Sequence, residues 1–197
     1  MPVGAQDQLV LPICPILDLS MSPCRGETAT LPVAEGVSVV WQGEVFSVHL
    51  AEDGGAHMLS PDAIEAIAGQ GVRGDRYCLG RESGHFSQSK GARRQITLFE
   101  NEVLETILRD HSLKLAPEEC RMNIVTRGVP LTHLVGQRFQ AGGAVLRGLK
   151  LNEPCARLNE VTGRRLIKAL IHRCGLFAEI LADGEIRPGD PITSLDA

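Results

Sequence analysis

Glycine and proline punctuate this chain so densely that few long elements can form. There are 21 glycines and 11 prolines in 197 residues. Each interrupts regular structure, glycine by its conformational freedom and proline by its fixed φ and missing N–H. Short strands fit between such breakers more readily than long helices. Aromatics make up only 4% of the chain, so a core must be assembled from aliphatic residues on many short segments. A chain of this length supports one good core. The expectation is an α+β fold, mainly β: a closed or nearly closed β-barrel with a few short helices packed on it.

The breakers also divide the chain. Residues 1 to 35 carry turn formers without sustained periodicity and read as an extended, partly disordered N-terminal arm. Its apolar patch Leu9 to Leu17 is suited to docking on the domain or on a partner. Residues 36–197 form the barrel domain. Val37 to Trp41 and Val45 to Leu50 read as strands. Ser60-Pro61-Asp62 predicts a short helix with Leu59 and Ile64 as its hydrophobic staple, ended by Gly69 and Gly71. Arg94 to Phe99 predicts a strand running into a helix over Glu100 to Asp110, with Val103, Leu104, Ile107 and Leu108 as its buried stripe.

Cys120 to Val125 reads as a further strand. Gly142-Gly143 marks a hairpin between Arg138–Gln140 and Ala144–Leu146. A helical stretch opens near Cys155 and breaks at Gly163. A second helix is expected over Arg164 to Arg173, with Leu166, Ile167, Leu170 and Ile171 inward. Asp183-Gly184 predicts a hairpin joining Phe177–Leu181 to Glu185-Ile186, and Asp190 caps a turn before the last strand.

Several function classes are disfavoured. A net charge of −4 argues against nucleic-acid binding, which needs a basic face. The six cysteines (14, 24, 78, 120, 155 and 174) include no CxxC pair, so no zinc is expected. Pro12 and Pro15 break the run Leu9 to Leu17, and no basic segment precedes it, so no signal peptide is read. No segment reaches the roughly 20 apolar residues that span a bilayer, so no membrane is expected. A reducing cytoplasm with free thiols follows. The 16 arginines against four lysines fit planar anion recognition and a genome-composition bias equally well.

One cysteine stands out. In Leu151-Asn152-Glu153-Pro154-Cys155-Ala156-Arg157-Leu158, Pro154 is suited to a first helical turn. That would set Cys155 beside exposed helix N–H groups, which favour thiolate. A cysteine alone is more often a small buried hydrophobe. Two arginine-glycine clusters accompany it, Gly71 to Arg76 and Arg121 to Gly128. Gly71 and Gly74 permit a tight turn aiming backbone N–H groups, Arg73 or Arg76 at an anion. On a strand, Arg121 and Asn123 would face a pocket while Met122 and Ile124 face the core. Thr126 and Arg127 fall where that strand should enter a loop, with donors to spare. Asp75 either accepts from a ligand or orients Arg76. Taken singly, Arg73, Arg76, Arg93 and Arg94 read as surface arginines, and His85 with its neighbouring serines as a solvated loop.

The ordered set Gly71 to Arg76, Arg94 to Leu98, Arg121 to Gly128, Pro154-Cys155 and Gly189-Asp190-Pro191 resembles the MOSC family, named for the C-terminal part of molybdenum cofactor sulfurase. The resemblance runs from about Gly36 to Ile192. It implies a β-barrel and the molybdenum cofactor (molybdopterin), a pterin whose dithiolene holds the metal and which ends in a phosphate. It implies Cys155 as catalytic residue, either a persulfide sulfur carrier or the molybdenum ligand, in sulfur transfer or reduction of N-hydroxylated compounds. Arg73, Gly74, Asp75, Arg76, Arg121, Asn123, Thr126 and Arg127 would hold the cofactor. Many members carry a second cysteine where this chain has Asn152, so the chemistry falls to Cys155 alone. A separate pyridoxal-phosphate-dependent cysteine desulfurase or an electron-donor protein would be needed as partner, with a small-molecule substrate. The alternatives are a non-catalytic cofactor carrier and a structural barrel adaptor.

Overall fold

The computed structural model describes residues 41–80 and 95–196. The N-terminal arm, the strand expected before Trp41, the His85 loop, Arg93 and Arg94 lie outside the described residues. In chain order the strands are β1 (Gln42–Val48), β2 (Ile64–Ile67), β3 (Gly71–Val72), β4 (Ile96–Glu100) and β5 (Ile124–Arg127). There follow β6 (Arg138–Ala141), β7 (Ala144–Leu151), β8 (Leu176–Ala182), β9 (Gly184–Ile186) and β10 (Pro191–Ser194). Three helices accompany them: α1 (Asn101–His111), α2 (Ala156–Thr162) and α3 (Ile167–Leu170).

Seven strands close into a barrel in the order β1-β10-β6-β7-β8-β4-β5. Neighbours run antiparallel except β4 and β5, which pair in parallel from Leu98↔Ile124 to Glu100↔Thr126. Helix α1 is part of the crossover between them, as parallel pairing requires. The barrel is the mainly-β fold that the breaker spacing predicts, and β6 and β7 form the hairpin expected at Gly142-Gly143.

Strand β4 is buried on both faces, which explains its nearly continuous apolar sequence. Ile96 and Leu98 join Val45, Val48, Ile124, Phe139, Leu146 and Leu176 in one core cluster. Phe99 joins a second cluster with Val103, Leu104 and Ile107 of α1 and Leu158, Leu166 and Leu170 from the region of the other helices. Each such side chain contributes roughly 1.5–3 kcal/mol on burial. Leu108 stays out, at 50% exposure, so the stripe of α1 is narrower than its sequence suggests.

Four segments differ from expectation. Residues 60–69 form no helix: Ile64 and Ala66 are buried and Glu65 exposed, a period of two. Strand β2 pairs with β3 and β9 in a small separate sheet, and this pairing overrides the local capping signal. Pairing also undoes the Asp183 hairpin, because β9 leaves β8 for β2, registering Ile64↔Ile186. The helix after Gly163 shrinks to α3, with Ile171 exposed and His172 at φ 62°. Finally, the strand expected over Cys120–Val125 begins only at Ile124. A 3-10 turn (Pro117–Cys120) precedes it, and Arg121 sits in the left-handed region.

Candidate functional site

Cys155 opens α2 as its N-cap residue, in extended conformation (φ −128°, ψ 166°), and its side chain makes no capping bond. Pro154 therefore precedes the helix rather than occupying its first turn. The thiol is half-exposed and lines a cavity of about 390 Å³. That volume suits a small-molecule ligand. Since α2 is only seven residues long, its dipole adds little. The positive character comes from side chains: Arg76, Arg121, Lys150 and Arg157 line the same cavity.

These cations reach it from four segments. Arg76 lies in the turn after β3, where its backbone N–H donates to Ala51 O at 2.7 Å. Its guanidinium stacks 4.4 Å from the centroid of the Tyr77 ring and donates from Nη2 to Tyr77 Oη at 3.1 Å. Arg76 Nη1 is buried and has no hydrogen-bond partner. Arg121 is turned inward by its left-handed backbone, and its Nη1 and Nη2 donate to Ala56 O (2.8 Å) and Gly54 O (3.1 Å). Burial lowers its pKa first, and the charges of Arg76 and Arg157 lower it further. Arg157 lies in the first turn of α2. It is absent from the residues that the sequence suggests for the site, although it stands two residues after Cys155.

Sulfur lines one part of the wall. Cys120, Met122 and Cys174 border the cavity beside Asn152. The Asn152 amide donates to Cys174 O at 3.2 Å and lies 3.7 Å from Met122 Sδ and 3.9 Å from Cys174 Sγ. Burial pushes both the Cys120 and the Cys174 thiol up to about 12. Both stay protonated at neutral pH, which leaves Cys155 as the accessible sulfur of this wall.

Other expected site residues take different places. Asp75 is buried and satisfied: Oδ2 accepts from Ala51 N–H (3.2 Å) and Asn123 Nδ2 (3.3 Å), and Oδ1 from Tyr77 N–H (3.1 Å). It organises the turn that carries Arg76. Asn123 is buried with it and accepts from the Thr97 backbone and hydroxyl. Its alternation with Met122 fails, because both lie ahead of β5 and both are buried. Gly74 makes the tight turn with φ +81°, but Arg73 is exposed and pairs with Glu65 (2.9 Å). Thr126 lies inside β5, buried, donating to Phe99 O. Arg127 borders a different, shallower cleft with Glu44 and Gly189, where it pairs with Glu44 and covers the Phe46 ring. The structure thus gathers Arg76, Arg121 and Cys155 at one cavity, places Asp75 and Asn123 behind them, and sets Arg73, Thr126 and Arg127 elsewhere.

The site is thus a cavity at one end of a seven-stranded barrel, where the half-exposed Cys155 stands with Arg76, Arg121 and Arg157. The MOSC domain model matches residues 82–193, and the chain belongs to that family. The fold is similar to that of the YuaD protein of Bacillus subtilis, at 20% identity and a TM-score of 0.67, over 79% of this chain and 96% of that one. It is also similar to YiiM of Escherichia coli (18% identity, TM-score 0.58, 79% of this chain and 70% of that one). YiiM of Geobacillus stearothermophilus gives 13% identity and a TM-score of 0.57, over 78% of this chain and 75% of that one. No curated protein is significantly similar in sequence.

Proposed function

We propose that the cavity binds the molybdenum cofactor, with Cys155 as the ligand to the metal and the arginine cluster holding its anionic groups. The observation that carries this reading is the gathering of three guanidiniums at one cavity, with a buried nitrogen of Arg76 left unpartnered. Burial, and then the charges of Arg76 and Arg157, work against the charge of Arg121, while Arg76 Nη1 is buried without a partner. Unsatisfied buried donors are costly, and an oxyanion between guanidinium forks removes that cost. The donor set fits the metal as well. Among the described residues no three His, Cys, Asp or Glu are grouped to hold an ion. A metal carried by a dithiolene brings most of its own ligands and would need only a soft thiolate from the protein, which Cys155 can supply.

When bound, the cofactor would supply two-electron chemistry at molybdenum, suited to reducing N-hydroxylated compounds. The chain's own residues bind and orient it: Arg76 and Arg157 meet negative charge, Phe177 and Tyr77 offer flat apolar walls, and Lys150, 5.6 Å from the Phe177 ring, adds a further cation. A persulfide-carrier role for Cys155 is the second reading. The protonated, sulfur-lined wall beside it favours that role, because it would shelter a sulfane sulfur. Each reading requires a partner, an electron-donor protein in the first and a separate cysteine desulfurase in the second. The free thiols of the described residues support a cytoplasmic location as part of this proposal. Among the described residues no helix is long and apolar enough to cross a membrane.

Metal analysis tests the first reading. Protein purified from a cofactor-competent host is expected to carry molybdenum, with Cys155→Ser and Arg76→Gln each losing most of it. Metal-free wild-type protein that instead carries a persulfide on Cys155 would transfer the assignment to sulfur carriage.

A further inference from the structure

The turn between β1 and β2 touches the cavity through two of its three arginines. Arg121 grips the carbonyls of Gly54 and Ala56 across 67 and 65 residues of sequence. Gly55 lies between them, and a Cβ there would meet Arg157 Nη2 at 3.7 Å. Within the turn, Ala56 N–H donates to Asp53 O at 3.3 Å and Gly54 N–H to Asp53 Oδ1 at 2.5 Å. Gly55 is exposed, and the hydrogen-bonded pair Leu50 and Leu59 closes the base of the loop. The side chain of Arg121 thus ties the turn's tip to the barrel through two carbonyls.

Two donors of Arg121 are thus committed to neutral acceptors of the protein. Arg76 Nη1 is not. The ion pair that Arg157 makes is an exposed one, at 3.3 Å to Glu160 on its own helix. We propose that Arg121 is a positioning residue: it holds the Gly54–Ala56 turn at the cavity rim and so fixes Arg157, while the oxyanion is met by Arg76 and Arg157. This rests on the anion-pocket reading above and assigns its cations to separate tasks. The carbonyl pair also explains how three guanidiniums share one rim, because carbonyl oxygens partly offset the repulsion borne by Arg121.

The test uses inorganic phosphate as probe, titrated calorimetrically, with site-resolved cleavage after Glu52 by a glutamate-specific protease as the report on the turn. Arg121→Gln is expected to raise cleavage after Glu52 about tenfold and to weaken phosphate about fivefold, with residual binding lost when Arg76→Gln is added. Arg121→Lys keeps donors for the carbonyls and should move both readouts back toward wild type together. Arg157→Gln leaves Arg121 and its carbonyl bonds in place, so phosphate should weaken while cleavage after Glu52 stays at the wild-type rate. This variant carries the comparison where Arg121→Gln fails to fold. Abolished phosphate binding in Arg121→Gln, with cleavage at the wild-type rate, would make Arg121 a direct ligand and overturn the inference. Unchanged cleavage and unchanged affinity would overturn it too. If wild-type protein does not bind phosphate, the anion-pocket reading fails, and cleavage alone still decides whether Arg121 holds the turn.

Discussion

The side-chain amide of Asn123 donates to Asp75 Oδ2 at 3.3 Å, joining the start of β5 to the turn that presents Arg76. The same amide nitrogen lies 3.3 Å from His49 O, and Asn123 Oδ1 accepts from the Thr97 backbone. Asn123→Ala strips these partners from buried groups, each worth roughly 1–3 kcal/mol when left unsatisfied. We expect a loss of about 2–4 kcal/mol, visible as a lower urea midpoint with an unchanged slope. An effect below about half a kcal/mol would show that the network is dispensable.

His49 is buried between two hydroxyls, with Nε2 2.8 Å from Ser47 Oγ and Nδ1 2.8 Å from Ser60 Oγ. Burial lowers its pKa below the ordinary 6.5, partly opposed by the charge of Glu118. The unfolded chain therefore takes up this proton first as pH falls. His49's contribution is fully present above about pH 6.5 and declines as pH drops below that value toward the folded-state pKa. Urea midpoints at pH 7.5 and 5.5 should show wild type losing more stability on acidification than His49→Gln. Parallel losses would remove His49 from the acid response.

Cys155 should be alkylated in the folded protein, whereas Cys120 and Cys174, with thiols pushed up to about 12, should stay unmodified. Its arginine neighbours add a second signature. Anionic iodoacetate should gain on neutral iodoacetamide at Cys155, and Arg76→Gln should reduce that ratio severalfold at low salt. Peptide-resolved mass spectrometry reads both, and a ratio insensitive to Arg76 would argue that the guanidinium and the thiol do not share one field.

Gly175 connects α3 to β8 with φ +90°, and a Cβ there would overlap the Leu98 carbonyl oxygen. Gly175→Ala combines backbone strain with a steric clash, for which we expect about 2–4 kcal/mol of destabilisation by thermal or urea unfolding. A near-neutral result would mean that β4 and β8 can separate locally at no cost.

Local patterns were legible where local physics decides them. The buried stripe of α1, the Gly142-Gly143 hairpin and the Cys155 turn each depend on neighbours a few residues away. The arginines were not legible in this way. Arg73 and Arg76 stand three residues apart in one turn, yet Arg73 finds Glu65 on the neighbouring strand while Arg76 enters the cavity. Only the pairing of β2 with β3 separates them, and a helical reading of residues 60–69 hides that pairing. The place of Arg127 was hidden for a similar reason, since its partner Glu44 lies 83 residues away. Arg157 had a readable signal: in a helix begun at Cys155 it falls within the first turn, beside the thiol.

The parallel pairing of β4 with β5 has a consequence for where chemistry can happen. A ring of strands that alternates up and down closes only with an even number of members. With seven, an odd number of neighbouring pairs must break the alternation, and here the break falls between β4 and β5. Two strands that run the same way begin at the same end, so the chain segments leading into them lie side by side. Those segments are Gln95 with the first residues of β4, and Cys120 to Met122 ahead of β5, and both line the cavity. The site thus occupies the one seam where the parity of the barrel is violated. An eighth strand inserted at that seam would restore the alternation. It would also push the two lead-in segments apart by one more strand spacing, about 4.8 Å, and carry Arg121 away from Cys155.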